Sequence, residues 1–326
     1  MNNSGPAVSR SDSILVVGSV ALDTVKTPAG SSASALGGSA VYFSLAASYF
    51  SPVSLVGVVG SDFPRRHRAA LERRGVDLSG LEVAKGRTFR WSGKYGKDAG
   101  AAKTLATHLN VFKTFRPTLT AAHRKASVVF LANIDPELQA EVLAQMTAPV
   151  IVACDTMDYW IGSKPAAIKK LLPKVDVFFC NDGEAKKLTG AANAISAAEA
   201  LASFGPSVVV VKKGEHGALM RFADSVFSFP AYPLARVKDP TGAGDAFAGG
   251  FLGCLAAVGS CDDAGHLKRA LAYGTTLASF NVENFSTKNI ENLDREAIDR
   301  RFHDLVGRMS VPRADDLLKS RRAVAA

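Results

Sequence analysis

Short apolar runs recur along most of the chain, spaced by stretches with helical periodicity. Residues 14–17, 53–59, 128–131, 150–153, 175–179 and 208–211 are almost continuously apolar and of strand length, as expected for strands buried on both faces. Between them, apolar positions recur three and four apart. Examples are Val41, Leu45, Ala46 and Phe50 after Gly37-Gly38, a basic segment at 64–74, and residues 136–145, 164–172, 184–188 and 197–203. Asp135 is a good N-cap for the helix at 136–145, with Pro136 at its first turn. Strands alternating with helices predict right-handed βαβ units around a mostly parallel sheet flanked by helices, an α/β fold. Residues 219–221 and 226–229 read as a hairpin, and 246–258 and 267–280 as two apolar helices. Residues 27–34, rich in Gly, Ser and Ala, read as a loop. Residues 88–95 break the rhythm: Phe89, Trp91 and Tyr95 share one parity among polar residues, which predicts a half-exposed strand. With the weakly periodic residues that follow, this predicts an inserted flap over about 85–116. One unit of 12–308 is expected, with tails at 1–11 and 309–326.

Composition narrows the function classes. Of 326 residues, 47% are hydrophobic, enough for a sizeable core. No apolar run approaches the roughly 20 residues needed to span a bilayer. The first thirteen residues are polar and lack the apolar core of a signal peptide, so a cytoplasmic protein is expected. Cys154, Cys180, Cys254 and Cys261 show no C-x-x-C spacing and read as small core residues in a reducing compartment. The net charge is +9, concentrated in part at Arg65-Arg66-His67-Arg68, Arg73-Arg74 and the tail from Lys319 to Arg322. No aromatics interleave with these clusters as a nucleic-acid platform would require. A solvated basic face, which also suits an anionic substrate, is the expectation.

The chemistry concentrates in Asp239-Pro240-Thr241-Gly242-Ala243-Gly244-Asp245-Ala246-Phe247-Ala248-Gly249-Gly250-Phe251. Gly242 and Gly244 flank one small residue, so a tight turn can present bare N–H groups at the start of a helix. Orphan amides and the helix dipole both favour an anion there. Asp245 lies inside that site, where a carboxylate is repulsive unless it accepts a proton from a hydroxyl attacking the anion. The stretch is not a Walker A loop, since no Gly-Lys-Ser/Thr follows. It is not a dinucleotide fingerprint either, because Phe247 stands where the third Gly would fall.

This stretch closely resembles the C-terminal signature of the PfkB (ribokinase-like) carbohydrate and nucleoside kinases. The resemblance extends over about residues 12–300. It implies a ribokinase-like fold with a small β lid, here the 85–116 flap, and ATP-dependent phosphorylation of a hydroxyl. Asp245 would be the general base, and the Gly242, Ala243 and Gly244 amides the anion hole. Gly37-Gly38 is similar to the family's N-terminal diglycine and Asp23 to its early Asp, both on the acceptor. Asn181-Asp182-Gly183-Glu184 resembles its N-x-x-E motif, in which Glu184 would hold Mg²⁺ through water. Lys212-Lys213-Gly214-Glu215-His216-Gly217 resembles its nucleotide loop, with Lys212, Gly214 and Gly217 toward ATP and His216 an exposed turn residue. Thr241 falls with the nucleotide, and Asp239 and Thr241 could hold K⁺. Arg90, Trp91 and Asn133 are candidate substrate contacts.

Two departures bear on the acceptor. Tyr42 replaces the usual Asn four residues after the second Gly, and Asp155-Thr156-Met157-Asp158-Tyr159-Trp160 replaces the usual Asp-x-Asn-x-Arg. The missing Arg speaks against a phosphorylated sugar, while Tyr159 and Trp160 could stack on a base. The expected acceptor is the primary hydroxyl of a neutral sugar, with a nucleoside as the alternative and a non-catalytic binding module as the rival of another class. A homodimer through the lid is left open, and neither membrane nor nucleic acid is expected as a partner.

Overall fold

In the computed structural model, residues 13–96 and 102–309 are described. The strands are β1 (Ile14–Val17), β2 (Ala21–Thr27), β3 (Gly30–Gly37), β4 (Val53–Gly60), β5 (Asp77–Ala84), β6 (Phe89–Lys94), β7 (Lys103–His108), β8 (Val128–Leu131), β9 (Ile151–Asp155), β10 (Val177–Asn181), β11 (Val208–Lys212), β12 (Ala218–Phe222) and β13 (Ser225–Phe229). The helices are α1 (Ser39–Ala47), α2 (Arg65–Arg73), α3 (Pro136–Gln145), α4 (Asp158–Ser163), α5 (Pro165–Leu171), α6 (Asp182–Thr189), α7 (Ala194–Ala202), α8 (Ala243–Val258), α9 (Ala264–Asn281) and α10 (Arg295–Met309).

Nine strands form one sheet in the order β13-β12-β11-β10-β9-β8-β1-β4-β5. From β11 to β5 every pairing is parallel, and β12 and β13 add the expected antiparallel hairpin. Both faces are covered, which explains the unbroken apolar runs. Ile14 and Val16 face the layer of α1, α8 and α9, whereas Leu15 and Val17 face that of α3, α5, α6 and α7. The order reverses beside β1, where β4 lies on one side and β8 on the other. Ligands of open α/β sheets bind outside the carboxyl ends of strands near such a switch.

Helix α8 is wedged between α1 and α9. A Cβ at Gly249 would lie 2.5 Å from the Phe43 carbonyl oxygen, and one at Gly250 2.7 Å from that of Tyr273. The glycines of the signature therefore set helix spacing as well as loop shape.

A second, four-stranded sheet has the order β3-β2-β6-β7. The expected flap supplies only half of it. β2 and β3 come from residues 21–37, and the segment read as a loop at 27–34 is mostly strand. Its small polar residues pair on the open side of β2, where nothing selects for apolar alternation. β5 was likewise not expected, because this edge strand of the large sheet alternates buried and exposed positions irregularly. The expected tail residues 1–11 and 310–326, and part of the lid connection, lie outside the described residues; Met309 closes α10.

Candidate active site

Four parallel strands deliver side chains to one cleft at their carboxyl ends. Asn133 follows β8, Asp155 ends β9, Asn181 ends β10 and Lys212 ends β11. With Thr156, Met157, Glu184, Gly214, Gly244 and Asp245 they line a space of about 280 Å³. The N-terminus of α8 points into it. Gly242 caps that helix in the left-handed conformation, φ 74°. The Tyr42 ring lies against it so closely that a Cβ at Gly242 would sit 2.3 Å from Cγ of the tyrosine. The Ala243 amide closes a turn onto the Pro240 carbonyl at 3.2 Å, so of the three expected anion-hole donors it is already engaged. The Gly242 and Gly244 amides have no partner among the described residues.

Asp245 stands in the first turn of α8. Desolvation and the neighbouring Asp155 push its carboxyl up to about 7, while Lys212 and its own amide pull it down. Such a carboxyl is poised for proton transfer near neutral pH. Lys212 Nζ donates to Asp155 Oδ2 at 2.7 Å, and the Thr156 amide donates to Asp155 Oδ1 at 2.8 Å. Burial alone would lower the Lys212 pKa, but Asp155 and Glu184 more than offset it and hold the ammonium charged.

Asn181 and Glu184 form a capping box on α6. The Glu184 amide donates to Asn181 Oδ1 at 2.8 Å, and the Asn181 amide to Glu184 Oε2 at 2.7 Å. Burial, with Asp155, raises Glu184 to about 7, and Lys212 lowers it. A buried carboxylate at the cleft, with one oxygen spent on the cap, fits a hydrated Mg²⁺, which takes few protein ligands.

Asp23, Arg90, Gly217, Asp239 and Thr241 are not among the residues that line this space. Asp23, on β2, is raised to about 7 by desolvation and by Asp239, the Gly38 amide opposing; Asp245 contributes to the same shift. A Cβ at Gly37 would overlap the Asp23 carboxylate, and one at Gly38 would strike the Ser19 carbonyl oxygen at 2.4 Å. The diglycine thus admits the carboxylate to the start of α1. Arg90 is tied to Asp62 at 2.9 Å and Ser34 at 3.2 Å. Asn133 Oδ1 is buried without a partner. Gly217 lets β12 approach β13, since a Cβ there would be 2.0 Å from the Phe229 carbonyl oxygen, while Gly214 lines the cleft. The Asp239 carboxylate accepts from the Thr241 amide at 2.9 Å and the Ser286 amide at 3.0 Å. The Thr241 carbonyl accepts from Asn281 Nδ2 at 2.8 Å. Asp239 is therefore a clamp on the signature loop. Thr241 Oγ1 donates to the Tyr95 hydroxyl at 3.2 Å, joining the loop to the lid.

Trp160 packs against the core and meets Tyr159 edge-on, leaving Tyr159 62% exposed. Tyr42, Tyr95, Thr156 and Met157 are neighbours of the site that motif reading did not assign. Tyr42, Thr156 and Met157 carried a signal only as departures from the family pattern, and Tyr95 only as an aromatic of the half-exposed strand.

The profile of the pfkB family of carbohydrate kinases matches residues 12–293. A cytidine kinase from Thermococcus kodakarensis is 31% identical over 248 residues, 73% of this chain and 87% of the relative. The nucleoside kinase of Burkholderia thailandensis in complex with inosine superposes with TM-score 0.74 at 21% identity, over 90% of this chain and 98% of the other. The aminoimidazole riboside kinase of Salmonella enterica, complexed with aminoimidazole riboside and an ATP analog, gives 0.70 at 19% identity, over 89% and 99%. The chain belongs to the pfkB family of carbohydrate kinases, phosphotransferases that use an alcohol as acceptor.

Proposed function

We propose that this kinase transfers the γ-phosphoryl group of ATP to the primary hydroxyl of a nucleoside. The reaction reading rests on one observation: Asp245 shares a desolvated cleft with Lys212 and with the unpartnered amides at the start of α8. The acceptor class is supported by the cytidine kinase that aligns with most of the chain. The nucleoside therefore moves ahead of the neutral sugar that the sequence favoured first.

Asp245 takes the proton of the attacking hydroxyl, a contribution of roughly 10²–10⁴ in rate. The Gly242 and Gly244 amides hold the group in transfer, each such donor being worth roughly 10²–10³. Asp23 and the diglycine orient the acceptor, with Arg90 and Asn133 at its periphery. Asn181, Lys212, Gly214, Gly217 and Thr241 shape the nucleotide side. Magnesium, when bound through Glu184, neutralises phosphate charge. No helix among the described residues is long and apolar enough to cross a membrane. Four buried free thiols suit the cytoplasm. β7 leaves an open edge with nearly every residue exposed, and we assign pairing of two copies to this lid sheet, which sedimentation velocity tests.

The experiment is a coupled ATP-consumption assay with Mg²⁺ over nucleosides and neutral sugars, with Asp245→Asn alongside and ³¹P NMR of the product. Turnover is expected with a nucleoside, with phosphorus on its primary hydroxyl, and a rate about 10²–10⁴ lower in the variant. Turnover of sugars alone would restore the first acceptor class. Full activity of Asp245→Asn would overturn the assignment of the base.

A further inference from the structure

The cleft contains a cation that neither the base nor the amides account for. Lys212 and Asp155 form a buried pair, with side chains 17% and 6% exposed. Desolvating two charges costs about as much as their attraction returns, so an apolar pair would serve stability as well. The ammonium has three donors. One goes to Asp155, and no other acceptor among the described residues takes the remaining two. Nζ also abuts the anion loop: a Cβ at Gly244 would lie 3.0 Å from it. Asp155 is held in turn by the Thr156 amide, which fixes the direction of the pair.

We propose that Lys212 is a catalytic residue touching the phosphoryl group in flight, and that Asp155 is the positioning residue that holds it there. This rests on the reading of Asp245 and the amides given above. As the acceptor oxygen bonds to phosphorus, the bond to the leaving oxygen breaks and its electron pair stays on the nucleoside diphosphate. Asp245 receives the acceptor proton, and Lys212 keeps its own. Negative charge spread over the equatorial oxygens meets a fixed point charge that needs no reorganisation. Lysine suits this role because its ammonium is a compact charge rather than a bidentate fork.

The test compares Lys212→Met, Asp155→Asn and the double variant Lys212→Met/Asp155→Leu, which removes both charges and avoids an unpaired one. Asp245→Asn is a separate arm. Melting curves report folding, and calorimetry with Mg²⁺ compares ADP alone against ADP with aluminium fluoride. In both Lys212 variants kcat should fall by about 10²–10³ while KM for ATP stays within about threefold. ADP affinity should persist, and affinity for the fluoride complex should fall by about 30-fold or more. The titratable groups coupled to Asp245 are Asp155 from β9, Lys212 from β11, Asp23 from β2, Tyr42 from α1 and Tyr95 just after β6, and of these Asp155 and Lys212 act most on its carboxyl. Lys212→Met should therefore move the acid limb of the pH–rate profile upward and Asp155→Asn downward, as their charges dictate, while the selective loss of fluoride-complex affinity is the readout that a structural role would not produce. Equal loss of ADP and fluoride-complex affinity with kcat retained would overturn the proposal and assign Lys212 to ground-state nucleotide binding. Full turnover in the double variant would assign the pair to folding alone. Full turnover in Asp245→Asn would sink the parent reading independently of the Lys212 result.

Discussion

At the residue scale, the site is built from groups held against their preferences. Gly242 is left-handed and pressed against a buried tyrosine ring. Gly242→Ala adds a Cβ to a φ that L residues avoid and drives it into Tyr42, which is fixed in the middle of α1. Its kcat should fall by about 10²–10³, the effect of misplacing one anion-hole donor, with a lower melting temperature as the companion reading. Asp23, Glu184 and Asp245 all have carboxyls raised to about 7. A carboxyl raised in the fold favours its protonated form there. Each contribution is therefore fully present below the ordinary carboxylate range and is lost as pH rises through about 7. The ligand-free protein should melt lower at pH 8 than at pH 5 on this account, and Asp23→Asn should reduce that difference by about a third. An unchanged difference in thermal scans would contradict the burial of Asp23. The turn that sets Gly242 and Asp245 at the start of α8 was legible because a helix N-terminus is built from residues contiguous in sequence. The contact of Tyr42 with Gly242 was not, because it joins residues two hundred positions apart that only the packing of α1 on α8 brings together.

At the element scale, α8 links the core to the chemistry. Its N-terminus faces the cleft while Gly249 and Gly250 let α1 and α9 close on it. Gly250→Ala gains about 1 kcal/mol of helix propensity. The new Cβ meets the Tyr273 backbone at 2.7 Å. That backbone belongs to the middle of α9 and cannot rotate aside, so overpacking costing about 1–3 kcal/mol should win. A melting temperature several degrees lower is expected by calorimetry; a rise would mean that α9 yields freely. The buried strands were readable because burial on both faces demands continuous apolar runs. The lid was half read: β6 shows aromatic alternation, but β3, Gly30–Gly37, carries small polar residues that pair through backbone alone. α10 was missed because its polar face outweighs Ile298, Phe302 and Leu305.

At the scale of the whole molecule, the sheet order places the switch point, the strand ends and the start of α8 around one cleft, and the second sheet is bonded to the signature loop beside it. Thr27 Oγ1 donates to the Lys238 carbonyl at 2.8 Å, and Ser286 Oγ to that of Leu36 at 2.5 Å, so lid and signature loop share a hydrogen-bonded frame. Topology followed from the βα rhythm. The acceptor did not, because the residues proposed to meet it come from β2, from β6 and from the end of β8, whose joint shape no local pattern encodes. The most direct test of the central claim is a single-turnover chemical quench of the wild type against Asp245→Asn, with enzyme in excess over ATP and a saturating nucleoside acceptor. Phosphoryl transfer slowed by about 10²–10⁴ at unchanged nucleotide affinity is the predicted result. Transfer at the wild-type rate would contradict the account of Asp245 as the base.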